Sequence, residues 1–555
     1  MVVLVCAAVW MSACRKEVDI SKLPVRSLVY GGDITLARNL NRALFDAPSR
    51  EKMFAGITPV LEEADIALGN AEGVIATGGR FTHKGEPRPH MYRAHPNVIE
   101  AIADAGIDVL TVGNNHAGDY GQFAFREMLD RLTAAGIGYT GGGENLKDAR
   151  TPYYKKIGDT VVAVVGCDMT ISDPVKALPK RPGPLFMGFF MHSKLPEATA
   201  LLRGLEEILD EARKHAHVVL FTPHWGDNWL DKPNQTIRAL AKKIITMGYD
   251  GIIGHSAHVI QGAEIINGKP VLYDAGNMLL DYGGGRGAGK GMLWKLMFSR
   301  AGVTQIIGHP IHMHTNYTVM ATGKVQAEIL KKVQGYSKKL GANLEIKGGT
   351  LVADCDPGHL KGPADAPDPP SRPVRKIRKA PSDTVLDKLP ETANRLDVRF
   401  PEGIRLVGYE LLVDEHSVPK SGQFIILYWT TDRKVKNSYT IHLESRAQTP
   451  KSGFPGKNYA AHLPGDWIFP TTEWPKNKII KDWTLFRLTQ NPAGKVDFYA
   501  GLYQNGILTP KDSDVPLVDD KLIHLDTTRY VPGAPNIFVT LRDYEEENKE
   551  LGVYH

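Results

Sequence analysis

From residue 28 to about residue 280 the chain alternates short apolar runs with amphipathic stretches, a pattern that predicts βα units around a largely parallel sheet. The apolar runs fall at 28–31, 66–68, 109–112, 161–165, 218–221, 251–253 and 271–273. Between the fourth and fifth, Leu201, Leu202, Leu205, Ile208, Leu209 and Ala212 recur at helical spacing and predict a helix over 196–215. The expected product is an α/β (α+β) domain over 27–322, a sheet core flanked by helices.

The pattern then changes twice. Residues 323–394 read as a helical tail running into a linker, because positions 356–390 hold eight prolines and cannot sustain a ladder or a helix interior. Five of the eight residues from Arg372 to Lys379 are basic, and a solvated extended linker is expected there. From 395 to 540, short β-type runs at 403–412, 424–430, 439–443, 481–488 and 496–502 are separated by turn residues, which predicts an all-β sandwich.

Length agrees with this division, since 555 residues exceed what one core organises. The chain is 42% apolar and 23% charged, ordinary for globular domains. A net charge of +5 is too small a bias to argue for a nucleic-acid partner. The first thirteen residues carry no charge and are too few to span a bilayer, but they suit the apolar region of an export signal. Met11-Ser12-Ala13-Cys14 resembles a lipobox, so residues 1–26 are expected to form a signal segment, with Cys14 lipidated and the protein anchored to a membrane. Cys167 and Cys355 remain, at a core strand and a linker, and neither a disulfide nor a zinc-type spacing is expected.

In open α/β sheets, sites form at the carboxyl ends of strands. This chain places its unusual polar residues there: Asp33 after the first strand, Asn70 and Glu72 at the second, Asn114-Asn115-His116 at the third, His224-Trp225-Gly226 at the fifth, and His255 with His258 after the sixth. Carboxylate and amide oxygens together with imidazoles suit Mn, Zn or Fe, so a cleft for one or two divalent ions is expected. Lys84, Arg88 and Arg93 lie between the second and third strands and are candidates to meet a polyanion. The stretch 284–291 fits a phosphate-loop spacing but lacks the hydroxyl residue and the following helix that such a loop needs. His309, His312 and His314 cluster in sequence, yet strand alternation would put His312 and His314 on one face and His309 on the other.

Taken in order, Gly32-Asp33 with Leu36, Asn70-x-Glu72, Asn114-Asn115-His116 with Asp119-Tyr120-Gly121, Gly141-Gly142-Gly143 with Asn145 and Ala149, His224-Trp225-Gly226, Gly254-His255 with His258, and Tyr273 with Gly276-Asn277 resemble the motifs of the CapA, or poly-gamma-glutamate capsule biosynthesis, family. The resemblance implies a metallophosphatase-like (calcineurin-like) fold. It also implies a cell-envelope role in synthesis, export or anchoring of an anionic capsule polymer, with that polymer or its synthase complex as partner. By the same resemblance Asp33, Glu72, Asn115, His224, His255 and His258 would hold metal. Asp33, Asn115 and His116 would serve the chemistry, and Lys84, Arg93 and Trp225 would bind substrate. Thr35 stands where related phosphoesterases place a His, Asn70 or Glu72 where they place an Asp, and Ser256-Ala257 where the family often has His-Pro. A metal-dependent phosphoester or amide hydrolase and a non-catalytic polymer-binding scaffold are the alternatives. The run of Tyr428-Trp429, Pro470 to Trp474 and Gly501-Leu502-Tyr503 is loosely similar to the sandwich appended to some membrane glycosyltransferases. Trp429, Trp467, Trp474 and Trp483 could stack on sugars there or fill the core.

Overall fold

The computed structural model describes residues 19–80, 90–170, 175–188, 195–282, 289–365, 367–412, 423–448, 457–486 and 494–530. The lipobox with Cys14, the candidate Lys84 with Arg88, and most of the 284–291 stretch lie outside these residues.

The apolar runs become strands, but of two sheets instead of one. In the first, Arg26–Thr35, Ile66–Glu72, Val109–Thr111 and Gly138–Thr140 lie parallel in that order. On the other side of Arg26–Thr35, Lys290–Ser299, Gly302–His314 and Thr350–Asp354 follow antiparallel, and Glu345–Lys347 ends the sheet. The sheet thus takes in strands well beyond residue 322. The second sheet sets Lys269–Leu272, Gly251–Ile253, Val218–His224 and Thr160–Asp168 parallel, between antiparallel edges at Ala263–Ile266 and Tyr153–Ile157.

The sheets face one another. Leu28, Tyr30, Ile66, Leu68 and Val109 of the first meet Val162, Val164, Val218, Leu220 and Ile253 of the second in one buried cluster. Alternate residues point outward to helices. Val29, Ala67 and Leu110 pack with Met53, Phe54, Ile102, Phe125 and Met128, while Val161, Val219, Phe221 and Ile252 pack with Leu205, Ile208, Ile237, Leu240 and Ile244. Every central strand is therefore buried on both faces, which is why it reads as an unbroken apolar run. Such a run carries no mark of which sheet it joins, so the split into two sheets was invisible in the pattern. The expected helix appears as Leu195–Arg213.

The proline-rich segment is extended and largely exposed over 371–379, but several of its basic side chains are paired with the main domain. Lys361 pairs with Asp250 at 2.9 Å, Arg372 with Asp148, Arg375 with Glu144 at 3.1 Å, and Arg378 with Asp130 and Glu144 at 2.6 Å each. The backbone N–H of Ala380 donates to Glu127 at 2.7 Å. Acidic side chains of the main domain thus hold this extended segment, through its basic side chains and through the backbone N–H groups of Arg378 and Ala380.

The C-terminal region is a sandwich of antiparallel sheets. One orders Val385–Leu386, Ile479–Phe486, Gln423–Thr431, Ile404–Leu412, Asn394–Arg399 and Asp512–Ser513; the other orders Lys457–His462, Thr440–Ala447, Gly494–Tyr503, Leu522–Tyr530 and Leu517–Val518. Leu406, Ile425, Leu427 and Trp429 meet Ile441, Leu443, Phe498 and Ile523 between them. Trp429 and Trp474 belong to this core, whereas Trp467 and Trp483 are half-buried. Cys167 and Cys355 are free thiols. Among the described residues no helix is long and apolar enough to cross a membrane.

Candidate metal centre

The strand Arg26–Thr35 shifts register between Tyr30 and Asp33 against Ile66–Glu72. Gly32 permits the shift, because a Cβ there would lie 1.7 Å from the Gly276 carbonyl oxygen. The Asp33 N–H donates to that same oxygen at 3.1 Å. Asp33 is thereby placed, fully buried, among the polar side chains at the strand ends.

His224 and His255 end neighbouring parallel strands and are bridged backbone to backbone, so their rings come side by side. Their Nδ1 atoms stand 2.7 Å apart, and His255 Nδ1 lies 3.5 Å from Asp33 Oδ1. On the other side of Asp33, His258 Nδ1 is 3.2 Å from Oδ2, and His258 Nε2 is 3.5 Å from Glu72 Oε1. Two sets of three ligand atoms result, Asp33-His224-His255 and Asp33-Glu72-His258, each within 4.8 Å and sharing Asp33.

His258 and Ser256 hold φ of 59° and 117°, a region that disfavours side chains and that persists only where neighbours impose it. Asp274 imposes it by accepting the N–H of Ala257 at 2.6 Å and of Gly276 at 2.7 Å. Asn277 holds His258 directly, its Oδ1 at 3.1 Å from Nδ1 and its Nδ2 donating to the His258 carbonyl at 3.0 Å.

The electrostatics follow from burial and pairing. Burial, with His255 beside it, pushes the His224 imidazole well below its usual value and leaves it neutral with a lone pair to offer. Burial opposes charge on His258 too, but Glu72 and Asp33 outweigh it and lift that ring to about 10. Burial would raise Asp33, yet hydrogen bonds from His255 and His258 hold it well below the carboxylate range. Burial and the Asp33 charge push Asp274 well above that range. The donor set fits a divalent metal: hard carboxylates shared between imidazoles, with buried His255 Nε2 making no hydrogen bond among the described residues.

His116 sits on the loop after Val109–Thr111, 6% exposed. Its Nδ1 lies 2.8 Å from Asp119 Oδ2, and the Tyr92 ring stacks on it at 3.9 Å between centroids. Asn114 fixes the loop by donating to Asn70 at 3.0 Å and to the Ala71 carbonyl at 2.8 Å, and Asn70 donates to Asp33 at 2.7 Å. Asn115 is half-buried on the same loop.

Two candidates are placed elsewhere. Arg93 is buried and pairs with Asp466 of the sandwich at 3.0 Å, so its guanidinium is engaged inside the protein instead of meeting substrate. Trp225 is 2% exposed in the helix-side core, donating to the Tyr273 carbonyl at 3.0 Å, which makes it a packing residue. The rings of His312 and His314 lie 4.6 Å apart, as alternation required, and neither residue belongs to a ligand set among the described residues.

Sequence reasoning missed Asp274, although a carboxylate just beyond the strand Lys269–Leu272 met the criterion applied to the others. It also missed Arg38, which no local pattern marks. Arg38 has φ 38° and ψ −106°, grips Asp281 through two 2.8 Å bonds, and lies 5.1 Å from the Tyr92 ring centre.

Fold and cleft together define a two-sheet α/β domain with carboxylate and imidazole side chains converging at its strand ends. The family model described as bacterial capsule synthesis protein PGA_cap matches residues 27–282, so this domain is similar to the CapA family. The capsule biosynthesis protein CapA of Bacillus anthracis is 26% identical over 51% of this chain and 66% of its own length. The PGA biosynthesis protein CapA of Bacillus subtilis is 24% identical over 60% of this chain and 83% of its own. Among solved structures, a novel phosphatase of Mycoplasma pneumoniae aligns with 52% of this chain and 94% of its own, at 12% identity and a TM-score of 0.31.

Proposed function

We propose that the protein serves at the cell envelope in building or anchoring an anionic capsule polymer of the poly-gamma-glutamate kind, through one or two divalent ions held in the Asp33 cleft. The observation that carries this reading is the sharing of Asp33 by two ligand sets inside a domain similar to the CapA family. Asp33, His224 and His255 would hold one ion, and Asp33, Glu72 and His258 the other, with Asn115 beside them. When bound, such ions supply positive charge that binds and polarises carboxylate or phosphoryl oxygens. Asp119 accepts from His116 Nδ1, which makes Nε2 the atom that passes a proton to or from the polymer. The stack on Tyr92 keeps that ring in place.

A metal-dependent hydrolase is the second reading, favoured by the same His116–Asp119 pair. Lipidation at Cys14 would tether the chain to the membrane; labelled palmitate entering the natural protein but not a Cys14→Ala variant is the result expected.

Elemental analysis of the purified chain tests the cleft. About two equivalents of Mn, Zn or Fe, with the first set emptied in His224→Ala, is the expected outcome. Normal capsule in cells carrying only Asp33→Ala would overturn any role for the cleft.

A further inference from the structure

We infer that the C-terminal sandwich is a working part of the cleft, in which Asp466 positions His116 from the far side of the domain junction. This rests on His116 being the proton-passing group proposed above.

Two neighbouring pairs of residues carry the connection. Tyr92 stacks on His116, and the next residue, Arg93, reaches Asp466 Oδ2 at 3.0 Å. Asp119 holds His116 Nδ1, and the next residue, Tyr120, donates its hydroxyl to the same Asp466 oxygen at 2.6 Å. In each pair one side chain faces His116 and its neighbour faces the sandwich. The pairs are tied to each other as well, since the Tyr92 N–H donates to Asp119 Oδ2 at 2.7 Å and the Arg93 guanidinium lies 4.2 Å from the Tyr120 ring centre.

The sandwich side is built to hold a fixed geometry. Asp466 and Trp467 have φ of 54° and 75°, and the Trp467 N–H returns to the Leu463 carbonyl at 2.9 Å. The Asp466 N–H donates to Asp482 Oδ1 at 3.3 Å, and His462 Nε2 lies 2.9 Å from Asp482 Oδ2. Arg93 Nη1 donates to the Gly78 carbonyl at 3.1 Å, so its planar fork spans both domains. The half-buried Trp483 packs on the main-domain core beside Tyr120, ring centres 6.3 Å apart. Apolar contact alone would dock the sandwich, whereas a buried ion pair specifies orientation at a desolvation cost. Removing Asp466 therefore loosens both supports of His116 at once.

The test uses the full chain. Backbone hydrogen exchange in the segments 90–95 and 114–121 is expected to speed up about tenfold in Asp466→Ala, with Asp466→Asn partly restoring protection because the amide oxygen still accepts from Tyr120. Tyr120→Phe, which leaves the ion pair intact, should give a smaller change in the same segments and covers the case that Asp466→Ala does not fold. Unchanged exchange there in both Asp466→Asn and Tyr120→Phe would overturn the inference. Equilibrium binding of inorganic phosphate to the Mn-loaded chain supplies the second arm. His116→Ala and Asp466→Ala should each weaken it about tenfold, and the double variant no further than His116→Ala alone, whereas additive losses would show that Asp466 does not act through His116. If the natural chain binds neither Mn nor phosphate, the reading of the cleft falls, and the exchange result alone decides the positioning role.

Discussion

Two buried polar clusters among the described residues, one at the domain junction and one in the cleft, are assembled on different plans. At the domain junction unlike charges meet: Arg93 faces Asp466, and His462 faces Asp482. In the cleft, His258 likewise pairs with Asp33, but beside them like meets like, with the Nδ1 atoms of His224 and His255 2.7 Å apart. A cluster of the first kind is held mainly by its own ion pairs and fixes the placement of the residues it ties together. A cluster of the second kind asks for a proton or a cation and marks a site.

Breaking the junction should give the largest effect. Arg93→Ala leaves Asp466 buried without its cation and is expected to lower stability by about 3–5 kcal/mol in urea unfolding, while Arg93→Met combined with Asp466→Leu should recover most of it. If the single and the double variants were equally damaged, shape and not charge would hold the junction. Next comes Asn277→Ala in the cleft, which frees His258 and should weaken metal affinity about 10–100-fold by competition with a chelator while the melting curve stays cooperative. A loss of fold in place of metal would erase the contrast between the clusters.

The pH dependence of the junction is a finer test. Burial opposes charge on His462, but Asp482, with Asp466 behind it, raises its pKa above 6.5. A His raised in the folded state stabilises fully below its unfolded value and loses that contribution as pH climbs through the folded value. Urea stability of the full chain should therefore fall as pH rises from 6.5 into the alkaline range, and His462→Gln should flatten that slope. The smallest effect is expected at the surface, where the Lys290–Glu328 pair is screened by solvent and Glu328→Gln should leave the urea midpoint indistinguishable from that of the natural chain.

Much of the cleft was legible because strand ends are local features. Asp33, Glu72, His224, His255 and His258 each follow an apolar run, and one rule of topology brings them together. Arg93 was misassigned for a reason of the same kind turned round: its partner lies 373 residues away, and no local signal separates a solvated arginine from a paired one. The pairing of the basic run from Arg372 to Lys379 was equally hidden, since Asp130, Glu144 and Asp148 are dispersed in sequence and meet it only on the folded surface. Trp225 sits beside a cleft ligand, but the twist of its loop turns the indole back onto Tyr273.

The sequence by itself determined the strands, a helix near 196–215, the proline-rich break, the β-rich C-terminal region and the carboxylates and imidazoles at the strand ends, because periodicity and turn chemistry act over a few residues. Tertiary structure alone decided that the strands divide between two facing sheets, that Asp33 is shared by two ligand sets, and that Asp466 reaches the residues holding His116. Those facts depend on which surfaces meet, and a strand buried on both faces is written the same way whatever it meets.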